Sequence, residues 1–468
     1  MSDDSSARIA SHLRSLVATA PPGTRLPSTR SLATDFGAGP VTVQRAVTQV
    51  VAEGLIETRP GLGTFVRTRD AVAAPVDVGW QTTALGPWRA SGVRIGTTLR
   101  QVTPDTIALH GGYPGPDLMP MREVRAAVSR AAKNADAFVR PPVAGVPELR
   151  QWFVTDLGAD GWFDADTLIT SGGQAALSAT FRALAAAGDT IVMESPTYWG
   201  AIAAARQAGL VIAPITRTDG APAAVDLDHT LAATGARLVY VQPNFANPTG
   251  DVWSTRQRTE VLEVATAHGA FVVEDDWAHD LGIDSHPLPL AAADSGGHVV
   301  YIRSLTKSLS LTLRVAAVLA RGPARRRIEE ALAVSDLYVS PLLQTATLDV
   351  VSRPGWRTHL QRLQRDLRIR RDALLAALAA EAPMIRVTAT PPGGLNLWAQ
   401  LPERHPDGRM TDPDVVTAQA LAAGVSISAG SEWFPAEPTG PHIRLNFGAA
   451  GPDRYPEAAR TLAEVLAR

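Results

Sequence analysis

Residues 298–314 read HVVYIRSLTKSLSLTLR, a short apolar run followed by a polar loop that contains Lys307. The length of the run and its β-branched residues are typical of a strand buried in a parallel sheet. Lys133 and Lys307 are the only lysines among the 44 lysine and arginine residues of the chain. Because arginine supplies nearly all other positive charge, a lysine kept at the end of a strand indicates a need for its amine.

Similar apolar runs precede this stretch and alternate with helical patterns. The strand-like runs are DTIVME, LVIAPI, ARLVYVQ and AFVVEDD, and the segments that suit crossover helices are ALSATFRALAAAG, YWGAIAAARQAG and TRQRTEVLEVATAHG. This alternation predicts a doubly wound α/β domain. From about residue 354, a long arginine-rich helical pattern leads to a closing α+β segment.

Residues with chemical potential recur at the ends of these strands. Ser304 and Arg314 flank Lys307, and both suit a phosphate dianion. The serine hydroxyl can donate one hydrogen bond to it, and the arginine guanidinium can donate two in a bidentate arrangement. The motif TSGGQAALSAT places free backbone amides at a helix N-terminus, which is a common anion site. An amine beside a phosphate site meets two requirements of pyridoxal phosphate, whose aldehyde forms an imine with lysine.

The other requirements of pyridoxal phosphate are a carboxylate at the pyridine nitrogen, a stacking ring and a donor to the phenolic oxygen. Asp275 or Asp276, Tyr198 and Asn247 follow other strands and supply these groups. Each feature has an ordinary alternative: the lysine as a salt-bridge partner, SGG as a helix start, the tyrosine as packing, the acidic pair as a cap and the asparagine as a turn residue. Their joint order along the chain favours the cofactor.

The region resembles the fold-type I aminotransferases of class I/II over roughly residues 106–448. The matching motifs are GGYPGPDLMP, AGVPELR, SGGQ, ESPTYWG, NPTG, EDD, S-x-x-K with its distal arginine, and HIRLNFG. The resemblance implies a doubly wound mixed sheet with a small α+β C-terminal domain. It also implies the internal aldimine at Lys307, cofactor contacts at Asp275, Tyr198, Asn247, Gly173, Gln174, Ser304 and Arg314, and an amino-acid carboxylate at Arg444 and Gly112.

Two positions depart from the aminotransferase pattern. The family usually has a tyrosine shortly after the carboxylate, whereas this chain has Trp277, whose indole N–H donates a hydrogen bond but cannot act as an acid. Five residues before Gly145 the family commonly has a tyrosine that reaches the phosphate of the partner subunit, whereas this chain has Arg140. We expect pyridoxal phosphate to bind, with Arg140 holding the phosphate of the partner, and transamination to be inefficient.

Residues 8–67 have the element order of a winged helix: a helix, a helix-turn-helix and a hairpin formed by LIETRPGLGTFVRT. The second helix of such a motif enters the major groove of DNA. Residues 1–70 hold eight arginines against six acidic residues, opposite in sign to the net charge of −2 of the whole chain. Residues that suit base contacts on this helix, or phosphate contacts around it, are Thr42, Gln44, Arg45, Gln49, Arg30, Arg59, Gly61, Gly63 and Thr64.

This segment resembles the winged-helix domain of the GntR family of bacterial regulators. LPS-x-R-x-LA, T-V-x-R-A and G-x-G-T-F-V occur in order at the spacing of that family. The stretch AGPVTV departs from it, because the family usually has a polar residue, often arginine, before the recognition helix. The alternative is a winged helix that serves protein contacts or is vestigial. The resemblance implies DNA contacts at Ser28, Arg30, Thr42, Gln44, Arg45 and Gly63.

A winged helix followed by an aminotransferase-like domain resembles the MocR subfamily of GntR regulators. We predict a DNA-binding domain at residues 1–70, a linker at 71–105, a large cofactor domain at 106–353 and a small domain at 354–468. The resemblance implies a regulator that binds an operator in double-stranded DNA. It further implies that the regulator senses pyridoxal phosphate, or an amine or amino acid that reacts with it, and forms a head-to-tail homodimer.

Composition excludes several other classes of protein. The chain has 468 residues and no cysteine, which excludes disulfides and thiolate metal sites, and its ten histidines show no metal-ligand spacing. No apolar run reaches the roughly 18 residues that span a bilayer. The N-terminus MSDDSSARIA is polar and acidic, unlike a secretory signal, so the sequence predicts a cytoplasmic protein without a membrane or metal site.

Two alternatives remain beside the regulator. The first is an active aminotransferase with an appended DNA-binding domain, against which Trp277 argues. The second is a scaffold that binds an effector in the cleft without any cofactor. Absorbance of the purified protein distinguishes the scaffold from the others, and turnover with amino-acid and keto-acid pairs distinguishes the enzyme.

Overall fold

The computed structural model describes residues 2–67, 77–85 and 97–468, which belong to two units, Met1–Arg89 and Ala90–Arg468. In the first unit, the predicted order of helices and hairpin is confirmed. Its elements are α1 (Ser2–Thr19), α2 (Thr29–Asp35), α3 (Pro40–Ala52), β1 (Ile56–Arg59), β2 (Gly63–Val66) and α4 (Gly79–Leu85).

The three helices of the winged helix enclose a small core. Apolar residues of α3 at helical spacing, Val43, Val47 and Val50, are buried against Ile9 and Leu13 of α1. The strands β1 and β2 pair in antiparallel register and complete this core with Ile56 and Val66. The two polar faces of the helix-turn-helix are therefore left on the surface.

The second unit contains the remaining helices and strands. Its helices are α5 (Met121–Ala131), α6 (Pro147–Leu157), α7 (Gly173–Leu184), α8 (Trp199–Gln207), α9 (Ala224–Thr234), α10 (Thr255–Ala267), α11 (Gly322–Asp336), α12 (Pro341–Val351), α13 (Pro354–Glu381), α14 (Pro413–Ala422) and α15 (Tyr455–Ala467). Its strands are β3 (Ile107–Ala108), β4 (Thr167–Thr170), β5 (Thr190–Ser195), β6 (Val211–Thr218), β7 (Ala221–Pro222), β8 (Leu238–Val241), β9 (Phe271–Asp276), β10 (Val299–Ser304), β11 (Ala316–Leu319), β12 (Arg386–Val387), β13 (Asn396–Gln400), β14 (Val425–Ser426), β15 (Ser428–Ala429) and β16 (His442–Asn446).

An eight-stranded mixed sheet, in the order β4-β11-β10-β9-β8-β5-β6-β7, forms the centre of this unit. The five strands from β10 to β6 run parallel, whereas β4, β11 and β7 pair in antiparallel fashion. All five strands predicted from apolar runs are confirmed as this parallel set. Because parallel strands end at one edge, the loops that follow β5, β8, β9 and β10 meet there.

The chain after residue 353 forms the long helix α13 and a four-stranded sheet in the order β12-β13-β16-β15. The predicted linker lies partly outside the described residues, and within it the structure has α4 and a 3-10 turn at Thr97–Leu99. The predicted domain boundaries stay predictions. Across the ranges that the structure describes, no helix is both long and apolar enough to cross a bilayer, and no cluster of side chains suits a metal ion.

Candidate functional site

The pocket at the carboxyl edge of the parallel strands brings together ten residues that the sequence singled out. It also has lining residues that the sequence analysis missed, among them Tyr113, Gln242 and Thr306. Arg140 is exposed in the loop after α5 and does not line this pocket. The ten predicted residues that line it are Gly112, Gly173, Gln174, Tyr198, Asn247, Asp275, Ser304, Lys307, Arg314 and Arg444.

Lys307 lies in the turn after β10, where the strand delivers it to the pocket. Its Nζ is 3.5 Å from the centroid of the Tyr113 ring, and no described carboxylate lies within salt-bridge distance of it. Burial, together with the charges of Arg444 and Arg314, lowers the pKa of Lys307 to about 7. The salt-bridge interpretation of this lysine is therefore not supported, and a neutral amine is available near pH 7.

The structure distinguishes the two adjacent aspartates at the end of β9. Asp275 lines the pocket, and its Oδ2 accepts hydrogen bonds from the Tyr240 hydroxyl at 2.8 Å and from Gln242 Nε2 at 2.9 Å. Asp276 instead accepts from the Tyr301 hydroxyl and contacts His279 outside the pocket. Burial raises the pKa of Asp275 to about 6. A cation placed beside Asp275 would stabilise its ionised form.

A phosphate cradle is formed by the N-terminus of α7 and the two loops that face it. Gly172, with φ +104°, is the N-cap of α7, so the first amides of the helix have no side-chain cap. Ser304 and Thr306 face each other with their hydroxyls 3.1 Å apart. Arg314 crosses behind Gly172 so closely that a Cβ at this glycine would lie 2.5 Å from its Nη2.

Gly172→Ala is expected to damage this cradle specifically. A residue with a side chain strains a backbone at positive φ by about 1–3 kcal/mol, and the added Cβ displaces Arg314. Loss of one charge-assisted hydrogen bond weakens phosphate binding by about tenfold or more. Thermal unfolding and pyridoxal phosphate titration measure the two effects.

Gly188→Ala is the matched control for this substitution. Gly188 also has positive φ, at +95°, but a Cβ there meets no atom within 4 Å. We expect it to lose stability without losing cofactor affinity. Equal cofactor affinities in the two variants would contradict the role of Arg314 in the cradle.

Asn247 and Arg444 share the opposite wall of the pocket. The Asn247 Oδ1 accepts from Trp433 Nε1 at 3.1 Å and lies 3.5 Å from Arg444 Nη1, so its Nδ2 is the group left to donate to a ligand. Arg444 also donates to the carbonyl oxygens of His110 and Gly111, while its buried Nε has no described partner. Burial lowers the pKa of Arg444 to about 10. A bound carboxylate would give this buried guanidinium the hydrogen-bond acceptor that its Nε lacks.

Trp277 lines the pocket through its ring, but its N–H points elsewhere. The indole Nε1 donates to the backbone carbonyl of Phe245 at 3.1 Å. Trp277 therefore supplies neither a proton nor a hydrogen bond to the pocket. Gln242, which the sequence analysis missed, stands directly after β8 and links the carboxylate to the loop of Asn247 by accepting from the Asn247 amide at 2.9 Å.

The predicted DNA-contacting residues lie around α2, α3 and the wing. Gln44, Arg45, Arg30 and Gly63 are exposed, and Thr42 is half-buried. Their roles stay predictions. Ser28 is exposed and is also the N-cap of α2, because its Oγ accepts from the Ser31 amide at 3.1 Å.

One wing residue does not fit the suggested DNA contact. Thr64 is 8% exposed, so its side chain belongs to the core of the winged helix and not to a phosphate contact. Arg59 is exposed but donates to Glu57 within the hairpin. The alternation of β2 explains the error, since Gly63 and Thr64 point to opposite faces of the strand.

The profile "Aminotransferase class I and II" matches residues 110–461. The chain belongs to this family. The profile "Bacterial regulatory proteins, gntR family" matches residues 5–66. A gntR domain fused to a class I and II aminotransferase domain is the architecture of the MocR-like subfamily. This chain has that architecture.

Individual relatives are of two kinds. The chain is 29% identical to "Probable rhizopine catabolism regulatory protein MocR" of Rhizobium meliloti, over 94% of this chain and 88% of that protein. It is 28% identical to the 2-aminoadipate transaminase of Thermus thermophilus, over 78% of this chain and 90% of that protein. The crystal structure of LysN, the α-aminoadipate aminotransferase of that organism complexed with N-(5'-phosphopyridoxyl)-L-leucine, has a TM-score of 0.75 at 26% identity and covers 82% of this chain and 98% of that one.

Pyridoxal phosphate is the cofactor of the aminotransferase family, and the pocket fits it. The amides of α7 with Ser304 and Arg314 suit a phosphate, and Asp275 suits a protonated pyridine nitrogen. Nδ2 of Asn247 has no described acceptor, which leaves it for the phenolic oxygen. The gntR domain is a DNA-binding domain, and proteins of the aminotransferase fold are commonly dimers.

Proposed function

We propose that this chain is a transcription regulator that binds an operator through its winged helix and senses pyridoxal phosphate, or an amine or amino acid that reacts with it. The observation that carries the proposal is one chain with both an exposed recognition helix and a complete lysine pocket. The similarity to a protein named as a regulatory protein, over 94% of this chain, supports it, whereas the similarity to the transaminase covers 78% of the chain.

The residues of the pocket have separate tasks in this proposal. Pyridoxal phosphate, when bound, supplies an aldehyde that reacts reversibly with primary amines. Lys307 presents a neutral amine to it, and Asp275 holds the positive charge of the ring nitrogen. Arg444 orients an effector by its carboxylate, so that the amine of the effector competes with the amine of Lys307. Trp277 offers no proton, which favours sensing over turnover.

Competition between these two amines gives the pocket two chemical states. An effector changes operator binding only by as much as its affinity differs between the conformations of the protein. We propose a head-to-tail homodimer, in which Arg140 holds the cofactor phosphate of the partner subunit. The exposure of Arg140 outside its own pocket is consistent with that role.

Arg45→Ala is expected to weaken operator binding by about 5- to 150-fold, because a side chain that contacts a base contributes about 1–3 kcal/mol. Arg8→Ala is the matched control, since Arg8 is exposed on α1 of the same unit but outside the recognition helix. Fluorescence anisotropy with operator DNA, selected by the wild-type protein from a random pool, measures both. Equal affinities of the two variants would contradict the recognition-helix assignment.

A working aminotransferase is the second candidate, because Lys307, Asp275 and Arg444 line the same pocket. Multiple turnovers with an amino-acid and keto-acid pair support the enzyme, and a single spectral change without turnover supports the regulator. Selection of no specific DNA by the wild-type protein would overturn the regulator.

A further inference from the structure

A second concavity lies on the large unit between α5 and the start of α13, and we name it the α5–α13 groove. It has a volume of about 600 Å³, in the range of small-molecule sites. None of its lining residues lines the lysine pocket. The residues of the groove used below are Arg122, Arg130, Arg353, Gly355, His359 and Arg362.

The groove is positively charged. Arg130 and Arg353 both pair with Asp349, and Arg122 pairs with the neighbouring Glu123. Arg362 has no described salt bridge, although Glu123 lies in the same groove. Four arginines therefore face two carboxylates, and the surplus positive charge favours an anionic occupant.

The N-terminus of α13 opens into the same groove. α13 has 28 residues, and its N-cap Arg353 makes no side-chain hydrogen bond to the helix. Its first turn contains no acidic residue, and Gly355 lines the groove. The positive end of a long helix dipole therefore faces the arginines, an arrangement that attracts anions.

His359 is an independent sign of a ligand. It lines the groove, is 7% exposed, and its Nε2 lies 2.8 Å from the carbonyl oxygen of Ser308. A carbonyl only accepts, so Nε2 carries the proton and Nδ1 is an acceptor. Nδ1 is buried and has no partner among the described residues, and an unsatisfied buried acceptor is costly. Burial lowers the pKa of His359, which favours this neutral form.

We propose that the α5–α13 groove binds a hydrogen phosphate group, either as inorganic phosphate or as part of a small phosphorylated metabolite. The arginines and the N-terminus of α13 take the anionic oxygens, and the phosphate hydroxyl donates to His359 Nδ1. Sulfate has the same shape but no hydroxyl at neutral pH. The site therefore prefers phosphate to sulfate.

The bound group also reaches the loop of the cofactor lysine. Ser308, which His359 holds by its carbonyl, directly follows Lys307, and its hydroxyl donates to Asp280. A ligand that shifts the side chain of His359 therefore also shifts the Ser308 carbonyl and the loop of Lys307. This second step rests on the proposed function, whereas the binding site does not.

Calorimetric titration of the protein saturated with pyridoxal phosphate tests the site, because the cradle beside Lys307 is then filled. At constant ionic strength and neutral pH, we expect inorganic phosphate to bind at least about fivefold more tightly than sulfate. Arg362→Ala should weaken phosphate binding by about tenfold or more, and Arg365→Ala, an exposed arginine of α13 outside the groove, should not change it. The same titration with glycerol 3-phosphate shows whether the groove prefers inorganic phosphate or a phosphorylated metabolite.

Three results would overturn the proposal. The first is equal affinity for phosphate and sulfate, and the second is an equal effect of Arg362→Ala and Arg365→Ala on phosphate binding. The third is a wild-type protein that binds no phosphate while Arg362→Ala weakens operator binding, because the groove would then be a DNA contact. Phosphate binding that Arg314→Ala abolishes and Arg362→Ala leaves intact would assign it to the cofactor cradle. A phosphate-induced change in visible absorbance that His359→Gln removes supports the link to Lys307, and its absence with binding intact overturns that link alone.

Discussion

Lys307→Ala protein, mixed with pyridoxal phosphate, is expected to show neither the visible absorbance band of a lysine-linked cofactor nor a linkage that borohydride traps. Among the residues that the structure describes, Lys307 is the one amine that lines the pocket, and its Nζ lies over Tyr113 with no described carboxylate to neutralise. Its loss removes covalent attachment altogether, which no neighbouring arginine can replace because guanidinium is not deprotonated in proteins. Absorbance and mass spectrometry after reduction measure the effect.

Lys133→Ala is the matched control, because Lys133 is the other lysine of the chain and is exposed after α5. It should keep both signals, and both variants should keep operator binding, since the winged helix has its own core. Attachment at Lys133, or none in the wild type, would remove the sensor from the proposed function and favour the cofactor-free scaffold.

The pH dependence of attachment follows from the pKa of Lys307, which burial lowers to about 7. The neutral amine is the reactive form, and it makes up about one tenth of Lys307 at pH 6 and nearly all of it above pH 8. The rate of attachment in the free protein should therefore rise across this range and then level off. A rate that keeps rising to pH 10 would show an ordinary lysine.

The sequence predicted the pocket because its parts are local signals at the ends of strands. A parallel sheet collects the residues that follow its apolar runs, so Lys307, Asp275 and Asn247 meet without any long-range information. β4 and β11 escaped prediction, since TLIT and AAVL are four residues long and lack distinctive periodicity.

What the sequence left open depends on side-chain direction. Asp275 and Asp276 are adjacent, and only the pleat of β9 decides which of them faces the pocket. The residue type indicates that the indole of Trp277 can donate a hydrogen bond, but its direction toward Phe245 depends on a loop 32 residues away. The pleat of β2 likewise decides that the side chain of Thr64 is buried. The α5–α13 groove gave no local signal, because its arginines lie on α5 and at the start of α13, far apart in the sequence.

Arg444→Ala is expected to weaken the response to amino-acid effectors by about 10- to 150-fold, the effect of losing a charge-assisted hydrogen bond of about 1.5–3 kcal/mol. The guanidinium is almost fully buried, at 1% exposed, and its unpartnered Nε makes it ready for a carboxylate. The concentration of effector that half-changes the cofactor spectrum measures the loss.

Comparing two ligands in two variants isolates the carboxylate contact from damage to the pocket. Arg444 also supports the carbonyls of His110 and Gly111, so Arg444→Ala can disturb the fold locally, whereas Arg444→Lys keeps a cation at the site. An amino acid and the amine that lacks its carboxylate are titrated against each protein. If Arg444 contacts the carboxylate, Arg444→Ala should weaken binding of the amino acid far more than binding of the amine. Arg444→Lys should have an intermediate effect on binding of the amino acid. Equal losses for both ligands would mean that Arg444 only supports the pocket, and no loss for either would place the effector elsewhere.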